Sequence, residues 1–415
     1  MSDQHPASRR PLGALIAADA ISRAGNGITA TAIPWFVLIT TGSPARTGLV
    51  VFATALPVVL SLFFGGVLVD RLSYRRASII GDLASGATVA MIPLLHVLGV
   101  LAFWHILVLA FLGALLDLPA EMARYSALPD LAKLGGVRFE RANAVFDGAI
   151  TVAALAAPAA AGVLIGLIGA TNVLWLDVAT FATSAALMAV GAPASASPAP
   201  APTSVGNYRR ELMRGLRFVR HEPVLFPLVL FFAAMNLFIG PIDTLIVPVY
   251  AREVLDSSVA LGLMAAAGGV GALGGNVLFG WLGHRLSRRA VFCAGFLGVP
   301  LALGALALTP GLVVAVVVLA LLGLALSLTN LLEYTIYFER IPDGMRARVL
   351  GLAGAIGWGS VPLGRILGGL LLDRLGLPAT LALLAVLALA LPLAMFAIGS
   401  FRRLEAPAEL SNQNA

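Results

Sequence analysis

Gly66–Arg76 reads GVLVDRLSYRR, and Gly280–Arg289 reads GWLGHRLSRR. Each closes a long apolar run with a short arginine-rich turn. Gly280 stands 214 positions after Gly66, and Arg285 stands the same 214 positions after Arg71. In a chain of 415 residues, a pattern repeated at about half the length points to two copies of one structural unit. Around these turns the sequence is 59% hydrophobic and only 12% charged. Soluble domains carry about 25% charged residues, so this chain lacks the polar surface that water requires. That excludes a soluble enzyme, a nucleic-acid module and a disordered scaffold. A polytopic membrane protein remains.

Outward from the two turns, twelve apolar segments follow one another, from Leu12–Thr40 to Pro378–Phe401. The fourth is Val100–Leu118 and the seventh Val224–Val249. Each is long enough to cross a hydrocarbon core of about 30 Å as a helix. Helices are required, because lipid offers no partner to open backbone N–H and C=O groups. Basic residues fix the orientation. With the N-terminus inside, 21 Lys and Arg fall in cytoplasmic segments; Arg46, Arg252 and Arg374 alone fall on the other side. Both termini are therefore expected in the cytoplasm, in a multi-pass protein of the inner (plasma) membrane. The same bias accounts for the net charge of +6, so no nucleic-acid partner is needed. One composition break interrupts the series. Residues 192–207 are rich in Pro, Ala and Ser and read as a linker. Tyr208–His221 follows as an amphipathic helix, with Leu212, Leu216 and Val219 on one face and five arginines elsewhere, suited to an anionic membrane surface. The expected organisation is an N-terminal six-helix bundle over 1–191, a cytoplasmic linker over 192–221 and a C-terminal six-helix bundle over 222–415.

Gly66-x-x-x-Asp70-Arg71-x-x-x-Arg75-Arg76 resembles the signature loop between helices 2 and 3 of the major facilitator superfamily, and Arg285 belongs to its half-repeat. The resemblance covers the whole chain: twelve spans, a central linker and the repeated loop. It implies an all-α membrane protein with the major facilitator fold, twelve transmembrane helices in two six-helix bundles. It also implies a gating role for the loop, in which Asp70 pairs with Arg75 and accepts from the amides at the cytoplasmic end of helix 11, near Arg346–Leu350. A solvated turn that only fixes topology is the competing reading. His284 replaces the acid in the second copy, which weakens the matching lock. More narrowly, Thr41-Gly42-Ser43, Arg141-Ala142-Asn143-Ala144 and Ile341-Pro342-Asp343-x-x-Arg346-Ala347-Arg348-Val349 are similar to the bacterial drug, macrolide and enterobactin exporter branch. Antiporters of the superfamily carry a Gly-Pro pair and a double glycine in helix 5. Here Ala157-Pro158-Ala159-Ala160-Ala161-Gly162 keeps only Pro158 and Gly162, as a kink and a close-packing point.

Charges inside apolar segments cost about 2.5–3.5 kcal/mol or more each at mid-membrane, so they face a partner or a wet cavity. Asp19 and Arg23 share a helix face at i,i+4, and Asp117, Glu121 and Arg124 share another at i, i+4, i+7. These five leave one carboxylate in excess, which suits proton coupling and a cationic or amphiphilic cargo. Asp147, about 9 Å into the fifth helix at 1.5 Å per residue, joins them as a candidate. Arg124 is weaker, because its place near the end of the fourth segment also fits the headgroup zone. In the second half Asp243, Asn330, Glu333 and Arg365 are weaker candidates, with Asn236 beside them and Gly240-Pro241 as a hinge. Asp177 reads as structural. Static ion pairs that fix helix register are the competing reading for the whole set.

No catalytic constellation is present. The only lysine, Lys133, precedes Leu134, so no Walker loop exists, and HExxH and Gly-x-Ser-x-Gly are absent. Five scattered histidines and the single Cys293 suggest neither a metal nor a cofactor. The expected function is therefore secondary active transport by a monomer, with a small molecule, protons and the lipid bilayer as its partners. A proton-coupled exporter (antiporter) of a hydrophobic or amphipathic compound such as a drug, macrolide or siderophore leads. An uptake transporter or a lysophospholipid flippase on the same fold is the alternative, and a non-transporting membrane sensor or assembly protein the remote one.

Overall fold

The computed structural model describes residues 9–69, 73–193, 205–285, 287–342 and 345–397. Among them the chain forms fourteen α-helices. The first six are α1 (Arg10–Thr41), α2 (Pro44–Val69), α3 (Tyr74–Val97), α4 (Phe103–Leu134), α5 (Phe139–Ile168) and α6 (Ala170–Gly191). There follow α7 (Val205–His221), α8 (Leu225–Ile239), a π-helical segment (Ile242–Ile246), α9 (Val247–Glu253), α10 (Ser258–Leu282), α11 (Arg288–Ala307), α12 (Leu312–Arg340), α13 (Arg346–Leu375) and α14 (Leu377–Ala397). Ten of the described segments are long and apolar enough to cross a membrane, one of them the continuous run Leu225–Glu253.

Contacts divide the chain into two compact units. The first is Met1–Pro202 with Asp256–Leu263; the second is Thr203–Leu255 with Met264–Ala415. In the first, α1 packs on α5 and α6, α3 on α4 and α6, and α2 on α4. A Cβ on Gly25 would sit 2.0 Å from Thr180 Oγ1 and 2.2 Å from Asp177 Oδ1, so α1 and α6 meet where only hydrogen fits. The helix α4 runs past Leu118, where its apolar segment ends, to Leu134. It continues because Ala120, Ala123, Ala127, Leu128 and Leu131 keep one buried face at helical spacing. Leu15, Leu128, Phe146 and Met188 form an apolar plug at that end of the unit.

In the second unit α8 packs on α13, and α11 on α12 and α14. Val219 of α7 is buried, whereas Met213 and Leu216 are exposed beside Arg214, Arg217 and Arg220. Glu222 fixes the junction that follows: its Oε2 accepts from the Val224 and Leu225 amides at 2.6 and 2.5 Å, and its Oε1 meets Arg340 at 2.9 Å. The sequence places a hinge at Gly240-Pro241, and the structure puts a widened helical turn there. Pro241 has no N–H to give, and its carbonyl accepts from Ile246 at 2.8 Å, five residues on. Pro248 bounds the turn on the other side.

Glycines set the crossing of α10 and α12. A Cβ on Gly271 would lie 1.8 Å from the Ala320 carbonyl oxygen, and one on Gly323 would lie 2.0 Å from that of Gly268. Backbones this close leave no room for any side chain. Gly271→Val should therefore lower the melting temperature of the purified protein in detergent, with an overpacking cost of about 1–3 kcal/mol or more. Gly280→Ala, where nothing lies within 4 Å, is the reference. Equal melting of the two variants would contradict the crossing.

Candidate functional site

The first unit holds a chain of charges in its interior. Arg124 on α4 has no exposed surface. Its Nε donates to Asp19 Oδ1 on α1 at 2.8 Å, and its NH1 to both oxygens of Asp82 on α3 at 2.8 and 3.0 Å. Ser78 and Ser22 take the remaining directions at 3.2 and 3.3 Å. Ser184 on α6 donates to Asp82 Oδ2 at 2.7 Å. Three helices thus meet on one guanidinium, and α6 joins them through Asp82. The series continues from Asp19, whose Oδ2 accepts from Arg23 Nε at 2.8 Å; Arg23 NH1 in turn reaches Glu121 Oε1 at 3.0 Å. Sign alternates along Asp82, Arg124, Asp19, Arg23 and Glu121. Exposure rises along it too: the Arg124 and Asp82 side chains show 0%, against 26% for Arg23 and 20% for Glu121. The Glu121 end is the one that exchange with the surroundings reaches first.

Asp117 stands beside this chain. Its Oδ2 accepts from Asn26 Nδ2 at 2.7 Å, but its Oδ1 is buried without a partner among the described residues. Asp19, Asp82, Asp117 and Glu121 face two arginines, so the interior has two carboxylates in excess. The sequence count of one was too low because it took α1 and α4 alone. Asp82 lay in an apolar segment and carried the same signal as Asp19. Arg124 also moves in rank: its side chain is the centre of the network.

The other expected residues scatter. Asp147 is exposed on α5 and holds only its neighbour Asn143 at 2.8 Å. Asp177 is buried and takes hydroxyls from Thr29 at 2.6 Å and Thr180 at 3.0 Å, a structural satisfaction. Pro158 and Gly162 sit where α5 meets the first turns of α10; a Cβ on Gly162 would lie 2.5 Å from the Ser258 carbonyl oxygen. Of the signature loop, Asp70 and Arg71 lie outside the described residues, as does the Gly66 environment. Arg75 donates to the Ala189 carbonyl on α6, Arg76 is exposed, and Arg285 is exposed in the 3-10 turn after α10.

The second unit holds its own polar groups around open volume. A cavity of about 280 Å³ brings together Asp243, Asn330, Glu333 and Arg365, with Asn236. Tyr337 donates to Glu333 Oε1 at 2.6 Å, Arg365 Nε to the Gly240 carbonyl at 3.2 Å, and Asn236 Nδ2 to the Gly357 carbonyl at 3.0 Å. Phe232, Phe296, Tyr334 and Trp358 line it as well. The sequence reading passed over Phe296, Tyr334 and Trp358, because an aromatic in an apolar helix looks the same facing lipid or facing a cavity. Among the described residues no group of three His, Cys, Asp or Glu is placed to hold a metal ion.

Comparison with known proteins places this architecture. The Major Facilitator Superfamily profile matches residues 15–364 and 244–414. The multidrug efflux pump Tap of Mycolicibacterium fortuitum is 29% identical over 94% of this chain and 95% of its own. The protein of the same description in Mycobacterium tuberculosis is 32% identical over 93% and 91%. The enterobactin exporter EntS of Escherichia coli is 26% identical over 84% and 81%. Among solved structures, the nucleoside transporter NupG superposes with a TM-score of 0.76 at 14% identity, over 94% of this chain and 98% of the other. A peptide transporter of the POT family superposes at 0.74 with 15% identity, over 95% of both chains. The paired half-repeats, the apolar helices and these matches along nearly the whole length agree, and the chain belongs to the Major Facilitator Superfamily of membrane transporters.

Proposed function

We propose that this protein is a proton-coupled exporter of hydrophobic or amphipathic small molecules, an antiporter working by alternating access. The observation that carries the coupling is the acidic excess within the first unit, with one carboxylate oxygen of Asp117 left unpartnered among the described residues. The direction of transport rests on relatives described as multidrug efflux pumps and an enterobactin exporter. In this reading twelve helices span the inner membrane as two six-helix bundles, 1–191 and 222–415, joined by the cytoplasmic segment 192–221. Both termini are cytoplasmic, and the monomer is the working unit.

The charges divide into two roles. Arg124, Asp19 and Asp82 form the static part, because a guanidinium with no exposed surface cannot release its carboxylates cheaply. Removing one partner of a buried ion pair typically costs about 3–5 kcal/mol. Glu121 and Asp117 form the working part. Glu121 lies at the reachable end and is held, among the described residues, by Arg23. A proton on Glu121 frees Arg23 NH1, and a proton on Asp117 turns its bare oxygen into a hydrogen-bond donor. Either event changes which side chains brace α1 against α4, and that is a local change able to bias two global states. The loop Gly66, Asp70, Arg71, Arg75, Arg76, with Arg285 in the second half, is assigned to the cytoplasmic gate, and Pro158 and Gly162 to the bend and close packing of the fifth span. Asp147 is kept as a secondary contributor on the exposed face of α5.

In proteoliposomes with an imposed pH gradient and a panel of lipophilic compounds, the wild type should exchange compound for protons. Asp117→Asn and Glu121→Gln should abolish coupled efflux while the protein still folds and inserts. Normal pH-driven efflux from both would reject the coupling assignment, and accumulation in the direction of proton entry would reject export.

Melting curves separate the two roles. Arg124→Met leaves Asp82 buried without a cation and Asp19 with Arg23 alone, and should lose about 3–5 kcal/mol of stability. Asp117→Asn replaces a buried charge by its neutral counterpart and should keep or raise the melting temperature while losing coupling. The opposite order of stabilities would contradict the division.

A further inference from the structure

Asp243 has a singular position in the second unit. It lies in the π-helical segment, between Pro241 and Pro248, where one inserted residue re-aims the side chains relative to an α-helix. It is exposed, although Ile242, Leu245 and Ile246 of the same turn are buried. What it is exposed to is internal space. One cavity, of about 280 Å³, carries the aromatic wall of Phe232, Phe296 and Trp358. A second, of about 460 Å³, is walled on α10 by Gly268, Gly269 and Ala272. Asp243 lines both, and among the described residues it is the only charged one lining the second. A Cβ on Gly268 would come to 4.0 Å from Asp243 Oδ1, so that glycine keeps the space beside the carboxylate open.

We propose that these two chambers form one binding site for a monovalent hydrophobic cation, with the positive centre at Asp243 and the apolar body against Phe232, Phe296 and Trp358. The volumes are of the size that takes drug-like ligands, about 300–1,000 Å³. Charge selects the sign of the ligand. Asp243 and Glu333 line the first chamber with Arg365 as the one cation among the described residues, and Asp243 alone serves the second, so the site carries one negative charge in excess. Arg365 also has its Nε engaged by the Gly240 carbonyl, the oxygen turned out by the break in the helix, so part of its donor capacity is committed to the scaffold. Aromatic faces add attraction for a cation wherever it sits over them. Asn330 and Tyr334, common to both chambers, supply polar groups at the junction without net charge. The site lies wholly within the second unit, apart from the acidic network of the first. Its meaning for transport rests on the exporter reading, so binding is measured separately from flux.

The experiment uses full-length protein in detergent and equilibrium dialysis against three probes of similar shape: tetraphenylphosphonium, tetraphenylborate and neutral triphenylphosphine oxide. Saturable binding of the phosphonium and little of the other two is expected. Asp243→Asn should weaken phosphonium binding about tenfold or more. Trp358→Ala, at a side chain that is 58% exposed and therefore safe to truncate, should weaken it several-fold. Glu253→Gln, which lines neither chamber, is the reference and should bind as wild type. Preference for the borate, equal binding of the neutral probe, or unchanged affinity in folded Asp243→Asn overturns the proposal. Should Asp243→Asn fail to fold, unchanged affinity in Trp358→Ala overturns it alone. Phosphonium binding lost in Asp243→Asn, together with no exchange in proteoliposomes, would leave this site standing and remove the exporter reading.

Discussion

A guanidinium with no exposed surface, in a chain that lives in lipid, constrains everything near it. Arg124 cannot shed its charge at any accessible pH, so the fold must bring carboxylates to it. Asp19 arrives from α1 and Asp82 from α3, while serines from α1 and α3 complete the donor count and Ser184 of α6 steadies Asp82. Helix register follows from this. A slip of one residue in α1, α3 or α4 would turn an ion pair into an isolated buried charge. The small residues around the network serve the same end, as where Gly81 lets α3 approach Ala120 of α4 closely. The apolar plug of Leu15, Leu128, Phe146 and Met188 then seals the network from one side.

Much of this was legible in the sequence, and the part that was not has a definite cause. The repeated loop, the arginine bias and the apolar runs are one-dimensional signals, and they lead to the class of fold directly. Asp19 with Arg23, and Asp117 with Glu121 and Arg124, were also legible, because helical spacing puts them on shared faces. Asp82 was overlooked, although its cost in lipid is the same as that of Asp19. Spacing within one helix says nothing of a partner on another, and the link from α3 to Arg124 exists only in the packed bundle. Asp147 illustrates the converse: a carboxylate at a plausible depth that packing turns outward to Asn143. The aromatic wall around Trp358 was equally hidden, since lipid and cavity favour the same side chains.

The two units use polar groups in opposite ways. The first fills its interior with a continuous ionic chain and keeps one carboxylate oxygen without a partner among the described residues. The second concentrates acids around empty volume, with the Tyr337–Glu333 hydrogen bond at its edge. Both patterns are expensive in a membrane. In the second unit the glycine crossings at Gly271, Gly323 and Gly364 pack helices by backbone contact, so the acids around its cavity are not needed for packing. Cost without structural need is what separates a working site from a scaffold.

That contrast also bears on how a gradient and a cargo share one molecule. In the proposed exporter a proton needs a carboxylate whose environment changes while its position hardly does; a chain of alternating charges suits this, because one proton at Glu121 would redistribute contacts back to Asp19. The proposed cargo needs volume, an adaptable wall and one fixed electrostatic mark, and the junction of two chambers at Asp243 would serve as these. If both duties fell on the same carboxylate, every ligand would have to fit the proton site, and breadth of substrate would be lost. Placing them on residues as far apart in the sequence as Glu121 and Asp243 lets the cavity vary without disturbing the ionic chain.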